Sequence, residues 1–479
     1  MNINNLMKTS LDINVKGIVN NSKMVMKDYV FVCTSGVSAD RHDFIDEAID
    51  NGACLIITSK DVVCKVPCIK VDNIDELFLN LVKGFNDNPQ EKLKLIGITG
   101  TDGKTSVATI IYKLMNKLSR CGYIGTNGIY SLGFEMDNDN TTPGIEVLYP
   151  ALKGFVDDKC VCAALEITSE ALAQGRANEL EFDVSILTNI TSDHMNTHKT
   201  IENYVETKSM LFDKTSIKGV SILNIDDKHY DEVLKHCKGK VLTYGKANKA
   251  DYKISDIKMI KNKTIFNLEY NKSKYLIESP LECEFNVYNL VAAIAALNSQ
   301  GYDIDKIISL IGDLNIDGRM NHIIIGQNFH VIIDYAHTVN GITSLFESLR
   351  KVYTGKFIVV SGIAGERDKQ KRPEIGELLT IDNNIAIITT EDPRFEDPNE
   401  IVNDLLTNVR EKKNFIVELN RYNAIKKAIY MAKENDVVLV LGKGKESLMK
   451  IKGKKVFFND YEVSKAILIE KLYNEAVEY

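Results

Sequence analysis

The stretch that most constrains this chain is Leu95 to Leu118, LIGITGTDGKTSVATIIYKLMNKL. Its opening apolar run, Leu95 to Ile98, reads as a buried strand, and Val107, Ile110, Ile111, Leu114 and Leu118 then recur at helical spacing. Between them lies a turn spaced by Gly97, Gly100 and Gly103 and closed by Lys104 and Thr105. Strand, glycine turn, Lys-Thr and helix, in that order, make a cradle for nucleotide phosphates. Glycines let backbone N–H groups close on phosphate oxygens without a side chain in the way. The helix N-terminus adds partial positive charge. Lys104 can reach the outer phosphates, and the Thr105 hydroxyl can hold Mg²⁺. Five residues separate Gly97 from Gly103, where the common pattern has four. The competing reading is a turn that merely joins a strand to a helix.

A chain of 479 residues exceeds one ordinary core, so several domains are expected. A net charge of -7, without long Lys/Arg runs, excludes a protein that grips nucleic-acid backbone. Apolar runs such as Asp436-VVLVLG and Leu290-VAAIAAL fall short of the ~20 residues that span a bilayer. The start, MNINNLMKTS, lacks the apolar core of a signal peptide. A cytoplasmic protein without stable membrane insertion is therefore expected. The nine cysteines are scattered without a Cys-x-x-Cys pair, which predicts reduced thiols, no zinc site and no disulfide framework.

Alternating strand and helix patterns predict an α/β protein of three domains. Residues 1–88 form a small N-terminal α/β domain. Residues 89–316 form a central P-loop-type parallel sheet, with the short alternating strands of 217–280 attached as a meander. Residues 317–479 form a C-terminal Rossmann-like domain, although no GxGxxG fingerprint appears. Two buried strands of the central domain end in chemistry. Glu166 closes Val161-CAALEIT, and Thr191-SDHMNTH carries Asp193, His194 and His198. Carboxylates at the ends of parallel strands point into the crevice where such sheets bind ligands. Thr105, Glu166 and His194 are thus candidate Mg²⁺ ligands. Lys208, on a predicted helix from Ile201, reads on pattern alone as an ordinary solvated lysine. In the C-terminal domain, Asp334, His337, Arg367, Arg372 and Arg394 fall at strand ends. Arginines there suit carboxylate recognition, with surface ion pairs as the equal alternative.

Taken together, these motifs resemble the Mur ligases, ATP-dependent amide-forming enzymes of peptidoglycan synthesis. The resemblance is to the branch that extends UDP-N-acetylmuramoyl-L-alanyl-D-glutamate, and it covers essentially the whole chain. Gly100-TDGKT is similar to the family's GT(N/D)GKT loop, which accounts for the unusual spacing and implies ATP contacts from Gly100, Thr101, Gly103, Lys104, Thr105 and Ser106. Glu166-ITSEALAQGR resembles E-V-S-S-H-x-L-x-x-x-R, which implies Glu166 as an Mg²⁺ ligand and Thr168, Gln174 and Arg176 as substrate contacts. Thr141 and Thr142 match a Thr pair with the same role, and Ser22 of Asn21-SK stands where the family contacts uridine. Leu187-TNITSDHMNTH resembles the segment whose first His, here His194, binds Mg²⁺. Tyr204-VETKSMLF resembles the segment whose lysine is carbamoylated. That implies Lys208 as N6-carboxylysine, an anionic oxygen ligand for a second Mg²⁺.

The same resemblance places Asn289 near adenine, and Arg319 and Asp334 in the ATP-binding region. Glu391-DPRFEDP is similar to the D-N-P-R-x-E-x-P of ligases that add meso-diaminopimelate. Asp392, Pro393 and Arg394 would then hold the amino acid, with Arg367, Gly442 and Glu446. Arg394 would grip the distal carboxylate, which lysine lacks. Five positions depart from the family pattern: Glu170 and Lys445 replace histidines, Val339-Asn340 replaces Pro-Asp, and Asn321 replaces Glu. Several of them surround the substrates, so the amino acid added is the open point. What the resemblance implies is a monomeric ligase using ATP, Mg²⁺, the UDP-MurNAc-dipeptide and an amino acid. Catalytic roles would fall to Lys104, Glu166, His194 and Lys208. Alternatives are a paralogue adding another amino acid such as L-lysine, a folylpolyglutamate-type synthetase, and a non-catalytic nucleotide-binding module.

Overall fold

The computed structural model of the chain describes residues 1–34, 40–138, 140–193, 195–381, 384–409 and 414–477. It is a mixed α/β protein with three principal sheets. Two compact units emerge, Met1–Gly97 with Met115–Asp183, and Ile98–Leu114 with Val184–Tyr479.

The first unit opens with a parallel four-stranded sheet in the order β1 (Gly17–Val19), β2 (Tyr29–Val32), β3 (Ala53–Thr58), β4 (Cys68–Lys70). The helix α1 (Ile45–Asp50) ends at Gly52, whose φ of +109° is the left-handed stop that glycine supplies. Helix α2 (Ile74–Phe85) buries Ile74, Phe78, Leu81 and Val82, spaced to share one face. Next come β5 (Lys94–Thr99), β6 (Cys121–Gly125), β7 (Gly128–Tyr130), β8 (Glu135–Met136) and β9 (Cys162–Glu166), ordered β5-β9-β6-β7-β8. Strand β9 is buried from end to end, and the fully buried Glu166 closes it.

In the second unit, the glycine loop feeds α3 (Lys104–Asn116). Its strands run in the order β10 (Phe182–Leu187), β11 (Thr215–Asn224), β12 (Lys240–Gly245), β13 (Tyr252–Ile260), β14 (Lys263–Tyr270), β15 (Ser273–Ser279). The predicted meander starts later than expected. β11, β12 and β13 pair in parallel, and only β13-β14-β15 are antiparallel hairpins. A short helix, Tyr230–Leu234, makes the first crossover possible.

The last sheet contains β16 (Asn321–His322), β17 (His330–Asp334), β18 (Phe357–Ser361), β19 (Ile385–Ile388), β20 (Phe415–Val417) and β21 (Val437–Leu441). Its order is β16-β17-β21-β18-β19-β20, so the last strand in sequence inserts between β17 and β18. Alternation along β21 explains its unbroken apolar run. Val437, Leu439 and Leu441 join one core with Leu345 and Leu379, while Val438 and Val440 join another with Ile425 and Leu468. A parallel sheet covered on both faces needs apolar residues at every position. Chemistry is therefore pushed to the strand ends, where Asp334 and Gly442 lie. All nine cysteines are free, and among the described residues no helix is long and apolar enough to cross a membrane.

Candidate active site

The loop after β5 is shaped by two glycines at positive φ, Gly100 at +146° and Gly103 at +86°. A Cβ on Gly100 would lie 1.9 Å from Thr188 Oγ1, and one on Gly103 would lie 2.5 Å from Asn289 Oδ1. The loop is seated on the segment after β10. Thr101 N–H donates to the Asn189 carbonyl at 2.8 Å, Asp102 N–H to Asn189 Oδ1 at 3.0 Å, and Thr188 Oγ1 to the Asp102 carbonyl at 2.6 Å. Because α3 starts at Lys104, the N–H groups of its first turn complete the anion cradle.

Two lysines from different helices meet under this loop. Lys104 Nζ donates to the carbonyls of Gly100 (2.9 Å) and Thr101 (2.8 Å). Lys208 Nζ, on the helix α4 at Ile201–Asp213, donates to the same Gly100 carbonyl at 2.7 Å. Lys208 is fully buried, with its ammonium 4.4 Å from the Tyr204 ring centroid. Tyr204 OH in turn lies 3.3 Å from Thr101 Oγ1. Lys208 is thus not the solvated residue that pattern alone suggested. Thr105 and Ser106 are buried at the start of α3. Asn289 sits behind Gly103 and donates to Asn286 Oδ1 at 3.1 Å. Asp193 forms an ion pair with Lys371, and His198 is buried with its ring 5.0 Å from Tyr204. His194 lies outside the described residues.

The first unit gathers the residues expected at the UDP-linked substrate. Thr142 Oγ1 donates to the Glu166 carbonyl (2.7 Å) and accepts from Thr168 N–H (3.0 Å). Arg176 donates to the Thr142 carbonyl at 2.8 Å and to Gln174 Oε1 at 2.5 Å. Thr141 and Thr126 hydroxyls lie 3.1 Å apart, and the Glu166 carboxylate accepts from Thr126 N–H (3.0 Å) and Tyr123 OH (2.5 Å). Burial raises the Glu146 carboxyl above the usual carboxylate range. Ser22 belongs to the N-terminal sheet region, where its hydroxyl donates to Glu47 at 2.6 Å.

At the ends of β17 and β21 a second polar network forms. The Arg319 guanidinium lies 4.2 Å from the Tyr335 ring centroid, and Tyr335 OH donates to Glu446 Oε1 at 3.1 Å. Lys443 Nζ, fully buried, bridges Glu446 Oε2 (3.0 Å) and Asp392 Oδ1 (2.9 Å). Asp334 accepts from Met320 and Ala336 N–H groups at 2.8 Å each, and burial raises its carboxyl above the usual range. Burial likewise pushes Glu391 up to about 8, against the pull of Arg421 and Lys443. Gly442 has a φ of +104° and donates its N–H to the Asp334 carbonyl. Pro393 precedes Arg394, which has a φ of +53° and a guanidinium 3.9 Å from Glu366, with the exposed Arg367 next in sequence to Glu366. For Arg372 the ion-pair alternative holds, in the interior and not at the surface. Arg372 is fully buried and bonded to Glu396 and Asp404, so it meets protein carboxylates rather than a ligand.

Three partners of the site were invisible in the reading of the sequence. Asn189 anchors the loop through a backbone and a side-chain contact, and only the fold reveals that. Asp102 accepts from Thr338 at 3.2 Å, across more than 200 positions of sequence. Lys443 had a signal in its place between Gly442 and Gly444, yet an internal lysine in a glycine turn reads as exposed.

Among the described residues, no group of three or more His, Cys, Asp or Glu side chains gathers as a metal cluster. The Thr105 hydroxyl at the start of α3 is still an oxygen donor of the kind that Mg²⁺ takes. That ion is commonly held by one or two carboxylates and by substrate phosphates, with water completing its shell.

Comparison with known proteins gives the family. Residues 98–297 match the Mur ligase middle domain, and residues 318–444 match the Mur ligase glutamate ligase domain. A UDP-N-acetylmuramoyl-L-alanyl-D-glutamate--2,6-diaminopimelate ligase of Aquifex aeolicus is 38% identical, over 95% of this chain and 94% of its own. A UDP-N-acetylmuramyl-tripeptide synthetase of Borreliella burgdorferi is 38% identical, over 96% of this chain and 94% of its own. A solved UDP-N-acetylmuramoyl-L-alanyl-D-glutamate--2,6-diaminopimelate ligase superposes with a TM-score of 0.65 at 27% identity, covering 98% of this chain and 99% of that one. The first match takes in the glycine loop and Lys208, the second Asp334, Asp392 and Lys443, and the chain belongs to the Mur ligase family of ATP-dependent amide-forming ligases.

Proposed function

We propose that this ligase joins an amino acid, meso-2,6-diaminopimelate, to the D-glutamate side-chain carboxyl of UDP-N-acetylmuramoyl-L-alanyl-D-glutamate. The acid oxygen attacks the γ-phosphorus of ATP, and the bond to ADP breaks, leaving an acyl phosphate. The amino acid's amine then attacks the acyl carbon, phosphate leaves with the bonding pair, and the amine loses a proton. The observation that carries this reading is the meeting of Lys104 and Lys208 at the Gly100 carbonyl, inside a glycine cradle at a helix N-terminus.

Each region has a part in that chemistry. The loop N–H groups and Lys104 hold the phosphate chain and oppose the charge that builds during transfer. Thr141, Thr142, Thr168, Gln174 and Arg176 orient the UDP-linked acid, with Ser22 at the uridine end. The network of Asp392, Glu446 and Gly442, flanked by Arg394 and Arg367, receives the amino acid. Orientation of the three substrates supplies much of the rate. Mg²⁺, when bound, neutralises phosphate charge; Thr105, Glu166, His194 and a carbamate on Lys208 would hold it. Division into segments 1–88, 89–316 and 317–479, and action as a cytoplasmic monomer, belong to the same proposal.

Support for diaminopimelate comes from Arg394, a guanidinium in a strained backbone position on the loop that follows β19, where a distal carboxylate could be met bidentately. The test is ADP release from ATP and the UDP-linked dipeptide with candidate amino acids, and mass detection of the product. Diaminopimelate is expected to give the highest kcat/KM. No ADP release with any amino acid would overturn the proposal.

A further inference from the structure

The two arginines expected at the amino acid, Arg367 and Arg394, sit on separate loops outside helices and extended strands. Arg394 is bridged by its backbone to the strand Leu448–Ile451, donating its N–H to the Lys450 carbonyl at 2.9 Å and accepting from Lys452 N–H at 2.7 Å, while Arg367 has no such bridge. One carboxylate ties these loops together. Glu396 Oε1 accepts the backbone N–H of Glu366, the residue immediately before Arg367. Glu396 N–H donates to the Pro393 carbonyl at 3.0 Å, the unit immediately before Arg394. The loops touch elsewhere too: Gly365 N–H donates to the Asp392 carbonyl at 2.8 Å.

Glu396 is itself held by a residue that reaches nothing else of the site. Arg372 grips it with two parallel bonds, Nη1 to Oε2 at 2.9 Å and Nη2 to Oε1 at 3.1 Å. Arg372 is fully buried, and its Nη1 is shared with Asp404 at 2.9 Å. Lys369 adds an ion pair to Glu396 Oε2 at 3.1 Å. A two-pronged guanidinium–carboxylate pair fixes angle as well as distance. Arg372 above all, with the Glu366 N–H and Lys369, holds the Glu396 carboxyl down to about 2, so the clasp stays charged across the working range.

The backbone explains why a clasp is needed. Glu366 has a φ of +56° and Arg394 a φ of +53°, left-handed conformations that cost energy for residues with a Cβ. Such conformations persist only where surrounding contacts over-determine them. The direction in which Arg394 leaves the loop depends on that conformation.

We propose that Glu396, anchored by Arg372, is a positioning residue that sets the spacing of Arg367 and Arg394 and thereby the affinity for the incoming amino acid. This rests on the functional reading above, since it assumes that the two arginines meet that substrate. Glu396 touches no reacting atom, and its effect passes through the loops.

The test is steady-state kinetics of the full chain, varying each substrate in turn. Glu396→Gln keeps the shape but turns an NH₂ toward Arg372. It is expected to raise KM for the amino acid on the order of 10-fold or more, with KM for ATP and for the UDP-linked acid nearly unchanged. Glu396→Asp, which keeps the charge, should recover part of the loss. Asp404→Asn, which leaves the two-pronged pair in place, should leave all three KM values nearly unchanged. Amide hydrogen exchange at Gly365 and Glu366, measured without substrates, should quicken in Glu396→Gln. If Glu396→Gln does not fold, Arg372→Lys replaces it with the same expected split. A parallel rise in all three KM values, or unaltered exchange, would overturn the clasp. If the wild type ligates nothing, the functional reading fails by itself, and exchange still decides whether Glu396 ties the loops.

Discussion

Lys208 Nζ lies 2.7 Å from the carbonyl oxygen of Gly100, a residue 108 positions earlier in the chain. The contact brings α4 to the underside of the phosphate loop, and it fixes what Lys208 can do. Lys208→Ala should fold, with a stability loss of about 1–3 kcal/mol for the lost bond and packing. Turnover should fall on the order of 10²-fold or more, as for other positioned groups in a charged transition state. ADP release, compared with the denaturation midpoint, separates the two effects. Turnover equal to wild type would remove Lys208 from the catalytic set. For the wild type, stripping bicarbonate from the assay should slow turnover and adding it back should restore it, since the carbamate proposed on Lys208 needs carbon dioxide.

A methyl group at position 100 is expected to do more harm than the loss of most side chains. Gly100→Ala would place Cβ 1.9 Å from Thr188 Oγ1 at a φ of +146°. Removing the clashing hydroxyl in the double variant with Thr188→Ala should restore only part of the loss, because the backbone strain remains. Nucleotide affinity, read by calorimetry, should weaken on the order of 10-fold in the single variant. Unchanged affinity would mean that the loop does not carry the phosphates.

That loop was the most legible part of the chain, because its residues are contiguous and its glycines are demanded by local geometry. The same holds for β21, whose unbroken apolar run follows from burial on both faces. Lys208 was legible only through resemblance, since a lone lysine on a helix carries no local sign of burial. Arg372 was misleading for a related reason. Its charge suggested a ligand, but its partners Glu396 and Asp404 lie 24 and 32 positions away, on other elements. The parallel pairing of β11 with β12 escaped notice because Tyr230–Leu234 is too short to give a clear helical period.

A buried ion pair makes a sharp stability prediction in the C-terminal domain. Arg421 and Asp460 are both fully buried, and two bonds of 2.7 Å join them, with a third from Arg421 to the Leu441 carbonyl at 2.8 Å. The pair fastens the start of the C-terminal helix, Asp460–Val477, to the end of β21. Asp460→Ala strands a guanidinium in the interior, which should cost about 3–5 kcal/mol. Urea denaturation measures it. A loss under about 1 kcal/mol would mean that the arginine finds water or another partner.

Glu391 gives the chain a pH dependence whose sign can be worked out. In the folded protein its carboxyl is raised from 4.5 to about 8, first because it is buried, with Glu446 and Asp392 adding repulsion. Unfolded, the same group releases its proton at its ordinary pKa. Between these limits the folded state binds more protons, so stability falls as pH rises. This contribution is complete below about 4.5 and is lost as pH passes through about 8. Glu391→Gln is neutral at every pH and escapes the loss. Its stability relative to wild type should therefore climb as pH rises from about 4.5 to about 8, most steeply midway between them, and level off above about 8. Urea unfolding of both proteins across that range is the measurement. A difference that stays constant with pH would show that Glu391 is already ionised, and that Arg421 and Lys443 outweigh its burial.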